Sequence, residues 1–99
     1  MYVVEIAPSA VEEVGKLRAF EGRKILDAIE GQLTQQPTVT TRHRKILPGL
    51  EPPFEAVPPL WELSLGEYRV FYDVNEDEKK VHVRAVRHKP PHKTSEEIL

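Results

Sequence analysis

WELSLGEYRVFYDV, Trp61–Val74, decides how the rest of the chain is read. Apolar residues alternate on either side of Gly66-Glu67, the pattern of two antiparallel strands joined by a two-residue turn with glycine first, as a type II′ hairpin prefers. Leu65 then faces Tyr68, Leu63 faces Val70 and Trp61 faces Tyr72, so one side is wholly apolar. The other side sets Ser64 against Arg69 and Glu62 against Phe71. A guanidinium keeps its proton and is expensive to bury without partners, so Arg69 is expected to face water or an anion.

Downstream, a turn around NEDEKK leads into a strand from Val81 to His88. Setting Val74 opposite Val81 predicts Tyr72 beside Val83 and Val70 beside Ala85 on the apolar side. The same register predicts Asp73 beside His82, Phe71 beside Arg84 and Arg69 beside Val86, with His88 further along that side. One face is therefore expected to be core. The opposite face is expected to be open and polar, collecting Glu62, Ser64, Arg69, Phe71, Asp73, His82, Arg84 and His88. Within it, a cross-strand Asp73–His82 pair and a cation–π contact of Arg84 on Phe71 are the expected arrangements.

Upstream, Tyr2 to Ile6 reads as a short strand ended by Pro8. Ser9 with Glu12 three residues on suggests an N-cap, and Val11, Val14 and Leu17 recur at helical spacing to about Phe20. After Gly22, a second helix is predicted from Arg23, with Ile25, Ile29 and Leu33 on one side, ending before Pro37. Close helix packing is the expected compensation for Gly15 and Gly31. The two amphipathic helices are the material available to cover the apolar sheet face. The reading is an α+β domain over residues 1–99, order β-α-α-β-β-β, with a helical hairpin on an antiparallel sheet of about four strands. Residues 37–59 carry six of the nine prolines, and a connection that long is expected to be a functional loop.

Charge is unevenly placed. The formal net charge is −2, which disfavours a general nucleic-acid binder, yet RHRK at 42–45 and RAVRHKPPHK at 84–93 contain no acid. Those two clusters hold His43, His88 and His92, whose spacing matches no metal-ligand pattern, so no metal and no cofactor are expected. The chain has no cysteine, which excludes a thiol nucleophile and a disulfide framework and fits a reducing cytoplasm. No secretory leader is expected after Met1, and no apolar run approaches the roughly 20 residues needed to span a bilayer.

The WEL(x)nGEYRVFYDV hairpin, the acidic turn and the closing strand HVRAVRHK together resemble the RelE/ParE superfamily of bacterial type II toxins, over almost the whole chain. That resemblance implies a cognate antitoxin as partner and one of two activities. RelE-type members cleave messenger RNA in the ribosome without metal, by attack of the ribose 2′-hydroxyl on the neighbouring phosphate. ParE-type members poison DNA gyrase. A relative that only binds its antitoxin is a third outcome. For the nuclease branch, Arg69 matches the arginine of the YRxxY strand that holds the phosphate, Lys89 falls where a second functional arginine stands, and His88 falls where a related subgroup has a catalytic histidine. This chain departs by carrying Glu62 on the strand where lysines are usual, and by having no tyrosine after Tyr72. Glu62 is the general-base candidate. The expected catalytic set is Arg69, His88, Lys89 and Glu62, and the expected RNA-binding set is Arg44, Lys45, Arg84 and Arg87. An acidic or amphipathic antitoxin segment is what the two basic clusters would attract.

Overall fold

The computed structural model describes every residue from Met1 to Leu99. In chain order the elements are β1 (Val3–Ile6), α1 (Pro8–Gly15), α2 (Ala19–Leu33), β2 (Arg44–Leu47), β3 (Leu60–Leu65), β4 (Tyr68–Asn75), β5 (Lys80–His88) and α3 (Ser95–Ile98). The strands form a five-stranded sheet in the order β1-β5-β4-β3-β2, in which β1 runs parallel to β5 and every other pairing is antiparallel. This is the α+β architecture read from the sequence. One strand is added: part of the proline-rich connection, Arg44–Leu47, pairs with β3 as an edge strand.

The β3–β4 hairpin has the predicted register throughout. Gly66 has φ +59° while Glu67 stays out of the left-handed region, as a type II′ turn requires. The apolar side of this hairpin faces the helices. Ala10, Val14, Ile25, Ile29 and Leu33 pack there against Trp61, Leu63, Val70, Tyr72, Val81, Val83 and Val86 in a single buried cluster. Each valine, leucine and isoleucine among them contributes about 1.5–3 kcal/mol by leaving water. The Trp61 and Tyr72 rings stack at 6.1 Å, and the buried Tyr72 hydroxyl donates to the carbonyl of Pro37 at 2.6 Å.

The helices differ in detail from the sequence reading. Pro8 occupies the first turn of α1 with Ala7 as N-cap, so Ser9 caps nothing; a proline has no N–H to satisfy there. The break falls between Gly15 and Ala19, so Gly22 lies inside α2. Gly22 is the point of close helix approach, because a Cβ there would sit 3.3 Å from both Cγ1 and the carbonyl oxygen of Val14. Gly15 and Gly31, where close packing was expected, face open space. No helix is long and apolar enough to cross a membrane.

The far side of the sheet is not the open surface that the sequence suggested. Leu60, Phe71 and Ala85 form a second, smaller buried cluster covered by Leu47, Phe54, Ala56, Ile98 and Leu99. The connection before β3 and the C-terminal segment fold over this face. Apolar Phe71 in the middle of a polar set is what draws them: left bare, it would hold a large aromatic surface in water.

Candidate functional site

The geometry of the far face turns on one irregularity. Tyr72 pairs with Val83, as expected, but Phe71 pairs with Ala85, so β5 carries an extra residue, Arg84, at a bulge. Every side chain of β5 beyond that point changes face relative to the sequence reading. Val70 lies opposite Val86 instead of Ala85, and Arg69 lies opposite Arg87 instead of Val86. His88 lies opposite Tyr68 on the helix side, where its ring meets that of Tyr68 edge-on at 5.4 Å. A straight ladder counts residues one for one, and nothing in the composition of RAVRH announces the insertion.

Arg69 is held from below. Its Nη1 donates to the carbonyls of Gly66 at 2.7 Å and Tyr68 at 2.8 Å, while its buried Nε has no partner. No carboxylate pairs with it, so its charge is fixed in place and left uncompensated. On the same face lie Ser64, directly across from Arg69, and Arg87 on its other side. The ladder ends with the Lys89 N–H donating to the Glu67 carbonyl at 2.6 Å, and continued alternation places Lys89 on the side of Arg69 and Arg87. Lys45, opposite Glu62 on β2, completes the basic set with a mostly exposed side chain.

Glu62 is sealed, at 1% exposure. Lys45 Nζ stands 3.8 Å from its Oε1, and its Oε2 has no hydrogen-bond partner. A buried carboxylate oxygen without a donor is costly.

The other named cations have structural partners. Arg84 forms a two-point pair with buried Asp73, Nε to Oδ2 at 2.8 Å and Nη2 to Oδ1 at 3.2 Å. Asp73 Oδ2 also accepts the Val57 N–H at 2.9 Å, which pins the connection onto the sheet. His82 does lie opposite Asp73 in register, yet the carboxylate is taken by Arg84, and the cation–π contact expected of Arg84 is made instead by Arg87, over Phe54 at 5.8 Å. Arg87 also donates to Glu13 Oε2, whose other oxygen accepts the Val86 N–H at 3.2 Å. Arg44 is buried on the helix side and donates to the Gln32 carbonyl at the end of α2, at 3.0 Å, so it is not presented to a nucleic acid. His88 is exposed, 3.4 Å from Glu67 Oε2, and sits across the sheet from Arg69.

Sequence reasoning missed Glu13, Phe54 and the two C-terminal apolar residues. Glu13 had no local signal, being one acid among several on a helix surface. Ile98 and Leu99, a lone apolar pair closing a polar tail, were a signal that could have been used.

Residues 4–89 match the family described as ParE toxin of type II toxin-antitoxin system, parDE. The chain belongs to the ParE toxin family. Its fold is also that of several solved structures. This ParE-family chain superposes with a TM-score of 0.69 at 20% identity on the toxin-antitoxin complex RelBE2 from Mycobacterium tuberculosis, covering 89% of this chain and 98% of that one. With the archaeal RelE-RelB complex from Pyrococcus horikoshii the TM-score is 0.62 at 23% identity, covering 94% and 98%. With the isolated Escherichia coli RelE toxin it is 0.68 at 18% identity, covering 96% and 89%. No curated protein sequence gives a significant match. At these identities the solved structures establish a shared fold, and the RelE/ParE superfamily is the class to which the chain belongs.

Proposed function

We propose that this ParE-family toxin acts on RNA, as a metal-independent endoribonuclease held inactive by a cognate antitoxin. The observation that supports the reading is Arg69, fixed by two backbone carbonyls, without an acidic partner, and set on one sheet face with Arg87 and Lys89. A planar guanidinium fixed in this way suits a phosphodiester. In the proposed step the ribose 2′-oxygen bonds to the adjacent phosphorus, the bond from phosphorus to the 5′-oxygen breaks, and a 2′,3′-cyclic phosphate remains. Arg69 offsets the charge that builds on the phosphorane-like transition state, and Arg87, whose charge is already paired with Glu13, borders the site. Glu62, whose Oε2 has no hydrogen-bond partner, takes the 2′-hydroxyl proton once the segments over this face open, and Lys89 protonates the departing 5′-oxygen. Lys45 steers the RNA strand. His88, on the other side of the sheet, takes no part.

The test is induced expression with mapping of messenger 5′ ends, comparing the parent with Arg69→Ala. The parent is expected to arrest translation and create new 5′ ends. Loss of one transition-state donor should lower cleavage by about 10²–10³-fold and restore growth. An Arg69→Ala variant that stays fully toxic removes the phosphate site.

A second reading is a poison that binds a protein, with DNA gyrase as the target that the resemblance to ParE-type toxins implies. It is favoured by Val11, Phe20 and Leu26, which are 54%, 77% and 41% exposed on the helical hairpin. Phe20 borders a cleft of about 460 Å³ between α2 and the β3–β4 turn, with Ile25, Ala28 and Leu65. DNA damage with intact messenger, abolished by Phe20→Ser, selects this reading. Under either one, the antitoxin is expected to meet the exposed cations Arg42, Lys45 and Lys93 with an acidic segment.

A further inference from the structure

We propose that the C-terminal segment is an autoinhibitory strap, which lies across the sheet face bearing Arg69 and Arg87 and competes there with RNA. The occlusion of RNA rests on the reading above; the existence of the strap does not.

Beyond β5 the chain passes through Pro90-Pro91 and turns back, the Lys93 N–H donating to the Pro90 carbonyl at 3.0 Å. It then enters α3, whose four residues are too few to hold a helix unaided. A reciprocal cap supplies the hold. Thr94 Oγ1 accepts the Glu97 N–H at 3.3 Å, and Glu97 Oε1 accepts the Thr94 N–H at 2.9 Å. The cap aims Ile98 and Leu99 at Leu60, Phe71 and Ala85. Phe71 follows Arg69 by two residues on the same face, and Ala85 precedes Arg87 by two, so the anchors lie one step along the sheet from the basic group. Phe54, 6.4 Å from the Phe71 ring, closes the other flank.

The attachment is also weak. Ile98 and Leu99 are only partly buried, no other residue of α3 is buried, and the cap is solvent-exposed. A segment tied by two apolar anchors opens at low free energy compared with the helix-covered core. Phe71, at 0% exposure, is thereby shut in a closed state that a small perturbation can open.

The chain contains no cysteine, so Ala85→Cys makes a reporter of the covered face. Its thiol is expected to react with a maleimide roughly tenfold faster when Ile98→Ser and Leu99→Ser are added. Under the same conditions the double serine variant of the otherwise native chain should bind a single-stranded RNA oligonucleotide roughly fivefold more tightly, because the competent state is no longer a minor one. Thr94→Ala, which touches only the cap, should move both readings the same way by less. An unchanged thiol rate overturns the strap. A faster rate with unchanged RNA affinity overturns its autoinhibitory role. Should Arg69→Ala in the opened background leave RNA affinity unaltered, the RNA reading fails, while the thiol rate still decides the strap.

Discussion

The two faces of the sheet are built from the same strands and buried by different means. On one face, α1 and α2 lay continuous apolar stripes over a cluster of twelve buried residues. On the other, a connection and a tail cover three, and buried Glu62 and Asp73 sit among them. A helix delivers an apolar residue every three or four positions, so it can match a sheet face along its length. Irregular chain delivers isolated anchors, and polar groups beneath it must find individual partners or go without. Asp73 has found Arg84 and Val57, and Glu62 and Arg69 each retain an unpartnered atom. The first face is packed by regular apolar stripes, and the second keeps buried polar groups whose partners come one at a time.

Truncating a core residue on each face is the strongest way to break that contrast. Leu63→Ala should lower the unfolding free energy by about 2–5 kcal/mol, measured by urea denaturation, and Leu60→Ala should fall at or below the bottom of that range. Equal losses would show that the covered polar face is as firmly packed as the helical one. Next in size, Asp73→Ala leaves Arg84 and the Val57 N–H without their acceptor and should cost about 1–3 kcal/mol. Hydrogen exchange should then quicken at Val57 and spare the amides of Leu63 and Val70. Smaller again, Gly31→Ala, in open space, should stabilise the chain by roughly 0.5–1 kcal/mol. Gly22→Ala should not share that gain, because its Cβ meets the Val14 backbone.

The smallest effect is a dependence on acidity confined to the second face. The Thr94 N–H, and then the Thr94 side chain, hold the Glu97 carboxyl below its ordinary value of 4.5, with Lys93 and His92 adding to the effect. A group lowered on folding contributes fully above its unfolded value and loses that contribution as pH falls through its folded one. Acidification below about 4.5 should therefore release α3 first. Amide chemical shifts of Thr94 and Glu97, followed as pH is lowered, should change before those of β3 and β4.

Much of the first face was legible in the sequence, because strand alternation and helical spacing are local and the hairpin turn fixes its own register. Trp61, Leu63, Val70 and Tyr72 needed only the Gly66-Glu67 turn to be placed. The second face was legible in part. Arg69 could be assigned its side from the same turn, and its freedom from an acidic partner followed from neither composition nor spacing. His88 and Arg87 exchanged sides because of the bulge at Arg84, a feature decided by how β5 fits β4 and β1 together. Arg44 read as one of four basic residues in a loop, and became a buried partner of the α2 terminus once its segment joined the sheet edge.

Periodicity along the chain by itself determined the α+β class, the hairpin and the residues that the helices cover, since these depend on neighbours within a few positions. The tertiary structure alone decided which cations share the face of Arg69, which are neutralised by Glu13 and Asp73, and that Ile98 and Leu99 close over Phe71. Those relations join residues far apart in sequence, and their energies depend on distance and burial that no local pattern encodes.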